Sequence, residues 1–390
     1  MSRNKILIVT SRIPWPLDKG DKLRAYHQIK SISEYADVYL FCLDHSSANK
    51  STPAELKSLC KEIHIQTIGK AEAVSNLIKN IFSQLPFQVA YFCNEKIHRA
   101  FDHFAESVKP DLIYSQLIRT APLVKNRKEK KILDYMDVFS KGVERRQKKT
   151  SVFLKPIFKT EKRRLEKFEN LVFDWFDKKI IISEQDRNCI PHPNNKDVRV
   201  VANGVDIHHF APIDSTKEYE ILFNGNMSYP PNIEAAEFLC KKILPIVHKT
   251  LPEARVLISG TTPSKKILSL QNERVHVTGF VPDIRLNFAK CKVLSAPMQS
   301  SIGLQNKLLE AMAMGIPCVT STLANNALKA KPDYEILVAD SPEVNAEKII
   351  QLLQDKNTYL NIQHNALQLV QQHYSWEKIN YELLKILEIT

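Results

Sequence analysis

Glycine is scarce in this chain, with nine among 390 residues, so each one marks a place where the backbone needs it. Thiol chemistry is thin as well. The seven cysteines (42, 60, 93, 189, 240, 291 and 318) are odd in number, scattered, and never spaced C-x-x-C, which excludes a disulfide-stapled module and a thiolate zinc site. No apolar run approaches the roughly 18 residues of a membrane helix. The opening MSRNKILIVTSRIPWP lacks a signal-peptide cleavage pattern, and the adjacent pair His208-His209 lacks the i, i+4 spacing of a helical metal site. A cytoplasmic protein without bound metal is the expectation.

What is present is enough for two domains, with 44% hydrophobic and 25% charged residues. Lys and Arg exceed Asp and Glu by 12, and the isoelectric point near 9.2 gives a field that favours polyanions. Nucleic acid is disfavoured as a partner because no nucleic-acid motif accompanies the charge.

Short apolar segments at 6–9, 38–43, 112–114, 132–133 and 179–182 alternate with longer amphipathic stretches, and the pattern restarts at 220–223, 255–259, 275–278, 292–296 and 317–320. Such alternation predicts two consecutive doubly wound α/β domains with parallel sheets. Gly225, Gly279 and Gly303 fall just past apolar runs, where ligands bind in such sheets. Residues 147–179 differ, interleaving Lys and Arg with Phe153, Phe158, Phe168, Phe173, Trp175 and Phe176. They read either as a solvated helix with a packed aromatic face or as a surface meeting anionic membrane.

The richest segment is SIGLQNKLLEAMAMGIPCVTS at 301–321, a glycine loop feeding a helix and then a strand. Free amides around Gly303, Leu304 and Gln305 would meet phosphate oxygens, with the positive charge of Lys307 nearby. Glu310, further along the helix, is placed to accept hydrogen bonds from sugar hydroxyls.

This segment resembles the nucleotide-sugar signature of family 4 glycosyltransferases, retaining enzymes of GT-B architecture. Further pieces follow in the family's order. VVANGV at 200–205 with Asp206 and Phe210, ILFNGNM at 221–227, VTGFVP at 277–282, PLDKGDKLR at 16–24 and HYSWEKINYELL at 373–384 each resemble a family segment. The wording of LDYMDVFS at 133–140 and GLQNKLLEAMAMG resembles a subgroup linked to bacterial exopolysaccharide systems.

The resemblance implies two Rossmann-like domains facing each other across a cleft. They would comprise an acceptor-binding domain (1–205), a nucleotide-sugar-binding domain (206–372) and a C-terminal helix (373–390) returning toward the first. It implies metal-independent, retaining transfer of a sugar from a nucleoside diphosphate sugar to a saccharide or lipid-linked saccharide, with no cofactor. The donor would meet Gly225, Asn226, Phe280, Val281, Gly303, Leu304, Gln305, Asn306, Lys307 and Glu310. Gly20, Asp21, Arg24 and Arg119 would lie on the acceptor side, and Asp137, Lys307 and Glu310 would serve catalysis. Residue by residue, Asp137 reads equally as a strand-end cap and Arg119 as a surface arginine.

Three departures stand out. Ile302 replaces the first carboxylate of the family's E-x7-E pair, Asn226 and Pro231 stand where Arg and Lys often hold the diphosphate, and DLIYSQLIRT at 111–120 lacks a histidine. Lys307, Arg24, Arg119 and the amides near Gly20 and Gly303 are the expected substitutes. A non-catalytic nucleotide or polyanion binder, or a sugar epimerase of the same fold, is the competing reading. The expected location is the cytoplasm, peripheral on the inner face of the plasma membrane.

Overall fold

A computed structural model describes residues 3–44, 52–300 and 303–389. Ile302, whose missing carboxylate figures above, lies outside the described residues. The chain divides into two compact units, one of residues 1–202 and 380–390 and one of residues 203–379. The first boundary falls three residues before the expected 205/206. The second falls inside the last helix, Trp376–Leu387, beyond the expected 372/373.

Unit 1 is a seven-stranded parallel sheet of β1 (Lys5–Thr10), β2 (Asp37–Asp44), β3 (Glu62–Thr67), β4 (Leu112–Gln116), β5 (Lys130–Asp134), β6 (Lys178–Ile181) and β7 (Arg199–Val200), in the order β3-β2-β1-β4-β5-β6-β7. Continuous apolar runs such as ILIV in β1 are buried on both faces, as parallel strands under helical crossovers must be. The helix Glu95–Val108 shows how the cover forms. Asn94 caps it by accepting from the Ile97 amide at 2.8 Å, and Ile97, Phe101, Phe104 and Val108 form the stripe pressed on the sheet.

The last residues of the chain complete unit 1. Asn380 Nδ2 donates to the His27 carbonyl at 3.0 Å and to Ser31 Oγ at 2.8 Å, and Glu388 pairs with Lys130 and Lys178.

Unit 2 is a six-stranded parallel sheet of β8 (Tyr219–Asn224), β9 (Val256–Ser259), β10 (Val275–Gly279), β11 (Cys291–Ala296), β12 (Cys318–Thr320) and β13 (Leu337–Val338), in the order β10-β9-β8-β11-β12-β13. Within it, two segments distant in sequence meet. The Val205 amide donates to the Tyr374 carbonyl at 2.8 Å, the Trp376 amide donates back to Val205, and a Cβ on Gly204 would stand 2.9 Å from the Trp376 backbone. The glycine of VVANGV is therefore required by the close approach of HYSW. No helix among the described residues is long and apolar enough to cross a membrane.

A candidate nucleotide site at the strand ends of the second unit

Three neighbouring strands of unit 2 end in the same way, as Asn224-Gly225, Ser259-Gly260 and Thr278-Gly279. Gly260 is the most constrained, because at φ +143° an added Cβ would sit 1.7 Å from the Gly225 carbonyl oxygen. Gly279 turns at φ +70°, the left-handed region that favours glycine. It leads into Phe280, 70% exposed, and the half-buried Val281.

At Gly225 the neighbours are functional groups. A Cβ there would lie 2.7 Å from Asn232 Nδ2 and 3.1 Å from Lys307 Nζ. Asn226, exposed at the tip, folds its side-chain oxygen onto the Ser228 amide and hydroxyl, while its carbonyl accepts from Asn232 Nδ2 at 2.9 Å. Asn232 Oδ1 in turn accepts from Lys307 Nζ at 2.7 Å. Asn232 lies on the helix Pro230–Phe238 and Lys307 on the helix Asn306–Ala313, so two helices aim polar groups at one glycine turn.

Lys307 reaches this point through the apolar body of the unit, and its ammonium lies 4.6 Å from the centre of the Phe223 ring. Burial pulls its pKa down to about 7, opposed by the charge of Glu310 one turn later. Burial likewise pushes Glu310 up to about 7, against the pull of Lys307. Gly303 is half-buried and its carbonyl accepts from Gln305 Nε2 at 2.8 Å. Leu304 is buried, and Asn306 Oδ1 accepts from Asn203 Nδ2 at 3.2 Å. Gln305 caps the helix by position without a side-chain cap bond, and its carbonyl accepts from the Leu308 amide at 3.0 Å. Glu234, which accepts from Ser300 Oγ at 2.6 Å, flanks the same helix pair.

The residues expected on the acceptor side are all in unit 1 and divide three ways. Arg24 is instead internal, fully buried, with Nε 2.6 Å from Asp134 Oδ2 and Nη1 2.9 Å from the Ala202 carbonyl. Asp134 also accepts from Tyr114 Oη at 2.8 Å, Gln28 Nε2 at 3.2 Å and the Met136 amide at 3.1 Å. A buried Arg paired with a carboxylate satisfies desolvated charge, which corrects its expected place beside a substrate. Gly20 opens the helix Gly20–Tyr35 with free space where a side chain would go, and Asp21 pairs with Arg12 at 2.5 Å.

Arg119 is half-buried and Asp137 is at the surface. Arg119 donates to Gln88 Oε1 at 2.8 Å and lies 4.6 Å from the Phe139 ring centre. Burial first, and Arg12 second, lower its pKa to about 10. Asp137 is exposed just past β5, and burial together with its charge raises the carboxyl groups of Glu169 and Asp186 to about 7 and about 6. The helix that follows begins at Phe139 with Val138 as its cap, so capping does not occupy Asp137. Asn232, Gly260 and Glu234 were not anticipated. A strand-then-glycine signal does mark Gly260, but nothing local marks Asn232.

Residues 218–355 match the family model described as Glycosyl transferases group 1. Over 408 aligned residues the chain is 21% identical to the "Uncharacterized 44.6 kDa protein in cps region" of Klebsiella pneumoniae, with 98% of this chain and 99% of that protein covered. Among solved structures it superposes on a sucrose-phosphate synthase from Thermosynechococcus elongatus with a TM-score of 0.74 at 14% identity, covering 99% and 98% of the two chains. It also superposes on HepE from Anabaena in complex with UDP and glucose, with a TM-score of 0.68 at 16% identity, covering 98% and 99%. The fold is thus the pair of Rossmann-like units found in GT-B glycosyltransferases. The residues that match the glycosyl transferases group 1 model all lie in unit 2.

Proposed function

We propose that the protein transfers a sugar from a nucleoside diphosphate sugar to a saccharide, free or lipid-linked, with retention of anomeric configuration and without a metal ion. The observation that carries this reading is the convergence of Lys307 Nζ and Asn232 on the Gly225 turn, beside the start of the helix Asn306–Ala313. Diphosphate is the ligand whose charge and oxygen count suit such a place.

In this reading Gly225 lets a phosphate approach the backbone, and Lys307 occupies the place of the cations absent at Asn226 and Pro231. Glu310 accepts from the ribose hydroxyls, while exposed Phe280 and Val281 flank the base. Cleavage of the anomeric C–O bond sends its electron pair to the diphosphate, where Lys307 and the helix amides stabilise the growing charge. The acceptor oxygen bonds the anomeric carbon on the same face and passes its proton to the departing phosphate oxygen. Asp137 is the carboxylate assigned to orienting the acceptor. UDP is the first nucleotide to test because HepE binds it, and the cps-region relative supports a polysaccharide setting.

Calorimetry with UDP, GDP, ADP, CMP and TDP should find one nucleotide bound at micromolar strength. Lys307→Ala and Glu310→Ala should each weaken that binding at least about tenfold, the loss of one charge-assisted contact. Undiminished binding in both variants would move the site elsewhere.

A further inference from the structure

We propose that unit 1 carries a docking face for an anionic lipid bilayer, formed by the helix Lys70–Lys79 with its following turn and by residues 152–157. It does not depend on glycosyl transfer.

The face is visible first as misplaced apolar side chains. Phe82 is 98% exposed and Phe153 92%, and Ile78, Val152, Leu154 and Ile157 are exposed beside them. Scattered exposed apolar groups are ordinary, but a cluster of this size tipped by two Phe rings marks an interaction surface. The other aromatics of the 147–179 stretch are not available to it. Phe168, Phe173 and Phe176 are buried and Phe158 and Trp175 half-buried, so Phe153 alone represents the stretch at the surface, joined by Phe82 from a distant segment.

Two side chains of the helix Lys155–Phe173 bring the segments together. Buried Glu161 accepts from the amides of Phe87 at 2.7 Å and Gln88 at 3.1 Å. Arg164 donates to the carbonyls of Ile81 at 2.6 Å and Leu85 at 3.3 Å, with its guanidinium 4.8 Å from the Phe87 ring centre. Ile157, Glu161 and Arg164 follow at i, i+4 and i+7, so they share one helix face, and Ile157 lies about 10 Å along the axis from Arg164, which holds Ile81. Both exposed segments are thus attached to the same helix, residues 152–154 directly before its start and residues 81–85 against Arg164.

Charge selects the occupant. Residues 145–167 contain ten Lys and Arg against two Glu, one of them the buried Glu161, and Lys70, Lys79, Lys155, Lys159 and Arg163 are exposed around the apolar tips. Lysine is depleted in protein interfaces, whereas lysine beside protruding Phe suits an anionic headgroup layer over acyl chains.

The full chain should float with vesicles of phosphatidylcholine mixed with phosphatidylglycerol, should not float with phosphatidylcholine alone, and should be released by salt. Phe82→Ser with Phe153→Ser should reduce partitioning by roughly tenfold for each ring withdrawn. Lys155→Glu with Lys159→Glu should reduce it while leaving the apolar tips in place. The circular dichroism spectrum and melting temperature should be unchanged in both variants, which shows intact folding, and the Lys307→Ala variant should float like the native chain, which separates this test from that of the donor site. Equal binding to neutral vesicles, no binding to anionic ones at low salt, or indifference to both variants would overturn the proposal. Disruption of a protein complex instead of vesicle binding would overturn it too.

Discussion

The two sheets share the order 3-2-1-4-5-6 at their centres, yet the ends of their strands are finished in opposite ways. In unit 1 the space past β4 and β5 is closed by a salt bridge whose carboxylate, Asp134, has four partners: Arg24, Gln28, Tyr114 and the Met136 amide. In unit 2 the space past β8 is lined by three glycine turns and by a lysine with one hydrogen-bond acceptor, Asn232. A buried charge with a complete shell stabilises a fold, whereas one with an incomplete shell is set up to gain a partner. That contrast distinguishes a structural ion pair from a ligand site more sharply than the residue types do.

The largest test is to break the closed network. Asp134→Ala should destabilise unit 1 by about 3–5 kcal/mol, because it leaves the Arg24 charge buried without its carboxylate. Hydrogen exchange by mass spectrometry should show the loss in β1, β4 and β5. Lys307→Met, by contrast, should cost unit 2 less, about 1–3 kcal/mol, since an apolar chain replaces a desolvated ammonium and the main loss is the donor to Asn232 Oδ1. A large loss at Lys307 and a small one at Asp134 would reverse the assignment of the two sites.

A second test reads the open site through protons. The pKa of Lys307 is about 7 in the free protein, and a bound diphosphate must raise it, so binding above pH 7 takes up a proton. Nucleotide affinity should fall as pH rises above 7, by at most tenfold per unit, until the bound-state pKa is reached. Calorimetry in buffers of different ionisation enthalpy should detect that uptake in the native chain and a smaller one in Lys307→Met, where Glu310 still titrates. The folded protein by itself has the corresponding dependence. A lysine depressed when folded keeps fewer protons than the unfolded chain between about pH 7 and its ordinary value near 10.5, so its contribution to stability grows with pH across that window.

Much of the fold was legible because it rests on local pattern. β1, β2, β4, β5, β6 and β8 to β12 each overlap an apolar run flagged in the sequence. β3 was missed because only continuous apolar runs were flagged, whereas this edge strand alternates Glu62, His64 and Gln66 with apolar residues, the pattern of a half-buried strand, and β7 and β13 because two residues carry no period. Of the candidate site, a single stretch of sequence displays only the contiguous run from Gly303 to Glu310. Arg24 misled for a physical reason. A basic residue after a glycine loop looks like a phosphate ligand, and the carboxylate that claims it is 110 positions away. Asn232 and Gly260 depend equally on contacts across strands and helices, which no single segment displays.

The smallest effect sharpens the same contrast at the glycines. Both sheets feed a glycine from their first strand toward a helix, Gly20 after β1 and Gly225 after β8, and both were expected to pass close to a ligand. At Gly20 nothing lies within 4 Å of an added Cβ. Gly20→Ala should therefore stabilise the helix Gly20–Tyr35 by about 0.4–1 kcal/mol, through reduced freedom of the unfolded chain, and leave nucleotide binding untouched. Gly225→Ala should act on binding, since its Cβ would displace the Asn232 and Lys307 head groups from the turn. Thermal melts with and without nucleotide distinguish the two. A loss of binding from the Gly20 change would mean that this loop, despite its open space, is held against the ligand.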